Sequence, residues 1–188
     1  MKLAHIAFSI ALVAALTLTG CSKPEAPATL AQPYETIAAQ AKGFTVGALM
    51  SAQTVYVLFD PQCPHCGHLW EASAPLLNRT KFVWIPVAIV NAKSGPQGAA
   101  LLSASNPAET MKAHEKSILA GTGGMSAPAS VPRDIEQAIQ KNTALFNSLG
   151  ADSVPYILAK NAKTGLTVSN MGALDTVPLA AFLGIAAP

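Results

Sequence analysis

Charge is scarce in this chain of 188 residues: Lys and Arg number 12 and Asp and Glu 10, together 12% of the sequence, for a formal net charge of +2. No run of Lys or Arg is present to follow a phosphate backbone, and so small a net charge gives no steering field, which excludes nucleic-acid binding. Cysteine is scarce as well, with three residues, an odd number and too few to build two zinc-binding pairs. No continuous apolar stretch reaches the ~20 residues of a stable membrane-spanning helix. The nearest to one is Ile6 to Leu18, thirteen residues that are apolar except for Ser9 and Thr17. There is no internal repeat. Apolar residues, by contrast, make up 51% of the chain, which excludes disorder and provides for one domain with a sizeable core.

The N-terminal apolar run follows a single positive residue, Lys2, which is the layout of a secretory signal over residues 1–20. Leu18-Thr19-Gly20-Cys21 at its end resembles the bacterial lipobox, and the resemblance implies that Cys21 is lipidated and becomes the mature N-terminus, a membrane attachment through lipid. Ser22 behind it resembles the sorting context of outer-membrane rather than inner-membrane lipoproteins. Lipidation of Cys21 leaves one cysteine pair, Cys63 and Cys66, outside the cytoplasmic glutathione pool. Residues 21–43 open on the Pro- and Ala-rich text SKPEAPATLAQP and read as a tether, with a short helix possible over Tyr34 to Ala41.

Beyond the tether, Phe44 to Val46 reads as a short strand and Thr54 to Asp60, TVYVLFD, as a strand buried on both faces. From Cys63 to about Asn78, Leu69, Ser73, Leu76 and Leu77 recur at helical spacing, with a kink expected at Pro75. Phe82 to Val90 is the next strand, where Pro86 predicts a bulge or an edge. Residues 96–150 are a helical block containing one helix around Ala108 to Leu119 and another from Ser130 or Pro132 to a stop at Gly150. VPYILA at 154–159 and LTVSNM at 166–171 form a hairpin, and Asp175 caps a final helix to Leu183.

The stretch that carries chemistry is FDPQCPHCGHLW, residues 59–70. Two cysteines at this spacing serve thiol-disulfide exchange, zinc coordination or covalent haem attachment. Haem attachment needs a histidine directly after the second cysteine, where Gly67 stands. Zinc needs four ligands, and the chain has one Cys pair. Copper or zinc binding by Cys63, Cys66 and His65 remains an alternative of another class, and a structural disulfide would close a loop too short to constrain the chain much. Exchange chemistry accounts for more of the neighbourhood. A helix starting at the cysteines places Cys63 where unpaired N–H groups and the helix dipole favour a thiolate. Pro64 suits the first helical turn, having no N–H to leave unpaired there, and a protonated His65 would further favour the Cys63 anion.

FDPQCPHCGHLW, the strand text WIPVAIV and the later Val154-Pro155 together resemble the catalytic domain of the DsbG/DsbC family of periplasmic disulfide-interchange proteins, over about Phe44 to Pro188. The resemblance implies an α/β thioredoxin-like fold over residues 44–188: a central mixed sheet flanked by helices, with a helical insertion at about 96–150 before the hairpin. It implies that Cys63 is the exposed nucleophile, Cys66 the buried resolving thiol, and Pro155 a cis-proline facing the site, with Val154 offering backbone hydrogen bonds to an extended substrate. The implied activity is dithiol exchange with protein disulfides or sulfenic acids, needing no cofactor and no metal, reset by a DsbD-type reductant or a DsbB-type oxidant. Two departures bear on it. About twenty residues separate Cys21 from the domain, too few for the family's dimerisation domain, so a monomer is expected. The Cys-Pro-His-Cys text with Val154 before the proline resembles the oxidase DsbA, which makes thiol oxidation the alternative to DsbG-like reduction or repair. Trp70 and Trp84 are expected as packing residues, His68 and His114 as surface histidines, and Asp60 as either a structural cap or a proton acceptor for Cys66.

Overall fold

A computed structural model describes residues 33–128 and 130–188. The signal, the lipobox with Cys21 and most of the tether lie outside the described residues. Helix α1 (Pro33–Gln40) precedes strand β1 (Phe44–Gly47), then β2 (Thr54–Phe59), α2 (Pro64–Ser73) with a 3₁₀ turn at Ala74–Leu76, and β3 (Lys81–Pro86). Three helices follow, α3 (Ser94–Ser103), α4 (Pro107–Leu119) and α5 (Arg133–Ser148), then β4 (Tyr156–Lys160), β5 (Thr167–Met171) and α6 (Thr176–Leu183). The strands form one mixed sheet in the order β1-β3-β2-β4-β5, in which only β2 and β3 run parallel. Among the described residues no helix is long and apolar enough to cross a membrane.

The central strands are dense in β-branched and aromatic residues because both of their faces are covered. Val55, Val57, Leu58 and Phe59 of β2, Phe82 and Trp84 of β3 and Ile157 of β4 have no exposed surface. Burial of each such side chain contributes about 1.5–3 kcal/mol. Trp84 is the hub of the aromatic packing: its ring meets Phe59 edge-on at 5.5 Å and Trp70 of α2 at 5.1 Å. The second half of α2 is thus held against the sheet. Helix α1 buries Tyr34 and Ile37 in the same core and packs on β2 and β4, so the chain from Pro33 onward, within the span expected as tether, is part of the folded unit.

Pro86 produces neither a bulge nor an edge. It is the last residue of β3, an interior strand flanked by β1 and β2, and stands opposite Phe59. The strand ends there because a proline has no N–H for the ladder; the next N–H, of Val87, donates to Phe59 O at 2.8 Å. Helix α5 covers this end. Asn142 Nδ2 donates to Pro86 O at 3.0 Å and Thr143 Oγ1 accepts from Ala88 N at 3.0 Å. The expected break at Pro75 is observed as the change from α2 to the 3₁₀ turn, and Gly150 follows α5 with a positive φ of 67°, a conformation that favours glycine.

Candidate active site

The site lies at the C-terminal end of β2, where the chain leaves the sheet and turns into α2. Asp60, which has no exposed surface, organises this turn. Its Oδ1 accepts from Gln62 N at 2.8 Å and from Ser94 Oγ at 2.7 Å, and its Oδ2 accepts from Ile89 N at 2.7 Å and Val90 N at 2.9 Å. Four donors occupy one carboxylate, tying together the turn, the loop after β3 and the start of α3. Of the two roles open from sequence, this geometry favours the structural one.

Cys63 is the N-cap of α2, with extended backbone angles, and Pro64 occupies the first turn. Both cysteines are free thiols; Cys63 keeps 7% of its surface exposed and Cys66 none. The two are electrostatically unlike. A hydrogen bond from the Cys66 thiol, aided by the backbone N–H groups of Cys66 and His65, brings Cys63 down from 9.0 to about 7, against the opposing effects of burial and the Asp60 charge. Burial raises Cys66 well above the ordinary thiol value, and the hydrogen bond to Cys63 raises it further. His65 contributes through its backbone N–H; its ring is exposed on the helix surface, 6.4 Å from the ring of His68.

Pro155 follows a cis peptide bond from Val154, and Val154 O lies 3.5 Å from Cys63 Sγ. The loop before β4 therefore brings its backbone to the nucleophilic sulfur. Among the described residues no group of three or more His, Cys, Asp or Glu side chains is placed to hold a metal ion. The carrier reading with Cys63, Cys66 and His65 gains no support from this arrangement.

His114 is not a surface residue. It is 1% exposed, and its Nε2 meets Pro61 O at 2.7 Å while Nδ1 accepts from Met125 N at 3.1 Å. These partners assign the proton to Nε2, and burial lowers the pKa, so the neutral ring joins the active-site turn to the loop at 121–128. Gly124, at φ 80°, allows the close approach: a Cβ there would lie 2.5 Å from the ring. Gln62 Nε2 donates to Gly123 O at 3.1 Å, and Gln97 Nε2 to Met125 O at 2.8 Å, fixing the same loop from two other elements. Gln62, Gln97 and His114 were not legible as site residues. The available signal was the shared face of Met111, His114, Glu115 and Ile118 on α4, at helical spacing and all buried.

No family model matches the chain. The thiol:disulfide interchange protein DsbG of Pseudomonas aeruginosa is 30% identical over 140 residues, 73% of this chain and 54% of that protein. DsbG of Escherichia coli K12 is 30% identical over 105 residues, 55% of this chain and 42% of that protein. The chain thus spans about half the length of these relatives. Among solved structures, a periplasmic thioredoxin-like protein from Salmonella enterica serovar Typhimurium superposes with a TM-score of 0.64 at 14% identity, over 80% of this chain and 93% of that one. The fold is thioredoxin-like, as the family resemblance implied.

Proposed function

We propose, from the premise that this chain is a relative of the DsbG thiol:disulfide interchange proteins through its thioredoxin-like domain, that it is a thiol:disulfide oxidoreductase working by DsbG-like reduction or repair. The observation that carries the reading is the inequality of the two sulfurs: Cys63 titrates near neutrality at a helix N-terminus while Cys66, one turn on, is buried and stays a thiol. In the proposed cycle the Cys63 thiolate attacks a disulfide or sulfenic acid in a protein substrate and forms a mixed disulfide, expelling a thiolate or water. Cys66 then attacks Cys63, releases the reduced substrate and leaves a Cys63–Cys66 disulfide. Two electrons pass from the pair to the substrate, and a DsbD-type reductant restores the dithiol. Val154 and Pro155, beside Cys63 Sγ, offer backbone to an extended substrate.

A second reading, DsbA-like thiol oxidation reset by a DsbB-type oxidant, is favoured by Pro64 and His65 between the cysteines and by Val154 before the proline. Stabilising the reduced thiolate makes a disulfide a stronger oxidant, and the known range from thioredoxin to DsbA spans about −270 to −120 mV. We assign the chain to the periplasm as a monomer, held by lipid on Cys21 to the outer membrane, with residues 21–32 as the lipidated N-terminus and spacer and the domain, which takes in α1, from Pro33 to Pro188, its helical insertion at 96–150.

One cell-fractionation experiment tests direction and anchoring together. Thiols are trapped by acid quench and alkylation, and the chain is recovered from membrane and soluble fractions and analysed by mass spectrometry. The expected result is a diacylated Cys21 in the outer-membrane fraction with Cys63 and Cys66 mostly reduced. A pair found mostly as disulfide contradicts the reductase and supports the oxidase; an unmodified N-terminus contradicts the anchor.

A further inference from the structure

Glu115 of α4 is a carboxyl group that the exchange cycle above does not use and that the fold gives no hydrogen-bonding partner. It is 1% exposed, and neither carboxyl oxygen has a hydrogen bond. Its position is defined by Gly67, the residue directly after Cys66: a Cβ on Gly67 would lie 2.9 Å from Glu115 Oε2. The absence of a side chain there lets the carboxyl reach the first turn of α2. On its other side Glu115 lines a cavity of about 690 Å³ between α2 and α4, along with Trp70, Glu71, Lys112 and Lys116. A buried, unpartnered carboxyl thus stands between the helix turn that holds the resolving thiol and a cavity large enough for water.

We propose that Glu115 is the proton carrier of the resolving cysteine: it takes the Cys66 proton when Cys66 attacks the mixed disulfide, returns it when Cys66 leaves on reduction, and exchanges it with solvent through the cavity. The inference rests on the dithiol reading above. Cys66 has no exposed surface, so its proton needs a route other than direct release to bulk water. In the mixed disulfide, with the Cys63 charge gone, Glu115 first releases its own proton to water in the cavity; Glu115 carboxylate and Cys66 thiol then become Glu115 carboxylic acid and Cys66 thiolate. The thiolate forms the bond to Cys63 Sγ, the Cys63–substrate bond breaks, and the substrate departs as thiolate with the electron pair. Reduction by an incoming dithiol runs the transfer backwards, and the leaving Cys66 thiolate is protonated by Glu115.

The electrostatics of the pocket suit this cycle. Desolvation raises Glu115 to about 9, with further contributions from the negative charges of Cys63 and Asp60. Cys63 likewise raises Cys66. When Cys63 enters a mixed disulfide its charge disappears, and both groups become more acidic at the step that needs Cys66 deprotonated. The groups facing Glu115 are Cys63 at the N-cap of α2, Cys66 of α2 and Asp60 directly after β2, with Glu71 of α2 and Glu109, Lys112 and Lys116 of α4 around the cavity. The other elements packed on α4, namely α3 and β1, carry no titratable side chain.

The test uses Glu115→Gln, which keeps the shape of the side chain and removes its acidity, with Glu115→Asp as the conservative variant. Reduced chains are mixed with oxidised glutathione, and decay of the Cys63–glutathione disulfide is followed by acid quench and mass spectrometry from acidic to mildly alkaline pH. The ratio of the resolving rate to the Cys63 alkylation rate is expected to fall at least ~10-fold in Glu115→Gln, at the low end of what a positioned acid-base group supplies, with recovery in Glu115→Asp. Difference infrared spectra are expected to show a protonated carboxylic acid in the reduced wild type that is missing in Glu115→Gln. Wild-type resolution and pH profile in Glu115→Gln, or absence of that band in the wild type, overturns the inference alone. A wild-type chain that forms no glutathione disulfide at Cys63 overturns the dithiol reading and this inference with it.

Discussion

Replacing Cys66 by Ala is expected to abolish turnover, by at least ~100-fold in any assay of catalysed disulfide reduction, while leaving a chain that accumulates covalently joined to its substrates through Cys63. The first step needs only Cys63, and the second needs a thiol within reach of the mixed disulfide, which Cys66 alone supplies among the described residues. The same substitution has a second, measurable consequence. The hydrogen bond from Cys66 is the largest of the effects that bring Cys63 from 9.0 to about 7, so its loss moves the Cys63 titration upward. Backbone N–H groups of residues 65 and 66 remain and still oppose the upward effects of burial and the Asp60 charge. The variant should therefore trap substrate more slowly at neutral pH than at mildly alkaline pH. Non-reducing gels and mass spectrometry of purified complexes check the first point, and alkylation rates against pH check the second. A Cys66→Ala chain that turns over normally, or that collects no mixed disulfides, contradicts the assignment of roles.

Replacing Asp60 by Ala is expected to cost about 3–5 kcal/mol of folding stability, roughly 10 °C in melting temperature for a chain of this size. The carboxylate, which has no exposed surface, holds three part-buried backbone N–H groups and the buried Ser94 hydroxyl at 2.7–2.9 Å. Truncation leaves all four donors facing a space that alanine does not fill, and each unsatisfied buried donor costs about 1–3 kcal/mol. Asp60→Asn should cost roughly half as much. Its amide oxygen still accepts from two donors, and the Ser94 hydroxyl can turn to accept from the amide nitrogen. Urea unfolding of the reduced proteins separates these outcomes. The Asn variant also separates the two roles open from sequence. With the carboxylate acting as a scaffold, Asp60→Asn keeps a resolving rate near the wild-type value, whereas a proton acceptor for Cys66 would lose most of it.

The sequence was most informative where chemistry and fold coincide. The buried strand at Thr54, the cysteines at the start of a helix and the hairpin beginning at Val154 carry strong local signals, and the structure holds each within one or two residues of its expected bounds. The cis bond at Pro155 was expected only through the family resemblance, because nothing in the local text distinguishes it from an ordinary proline. Long-range polar contacts were not legible. His114 and Glu115 stand in the text MKAHEKSIL, which has the charge content of a solvated helix; that they are buried depends on Pro61, 53 residues away from His114, and on Gly67. Pro86 was misjudged for a related reason: its position within a strand text suggests an edge, and only the parallel pairing of β3 with β2 makes it the end of an interior strand.

The central claim is that Cys63 is the reactive thiolate and Cys66 its protected partner. The most direct measurement is the rate of alkylation of each cysteine in the reduced protein as a function of pH, with peptides identified by mass spectrometry after the quench. The account predicts that Cys63 reacts with a half-maximal rate near pH 7 and that Cys66 stays unmodified while the chain is folded. A Cys63 titration at 9.0, or modification of Cys66 before Cys63, would contradict it.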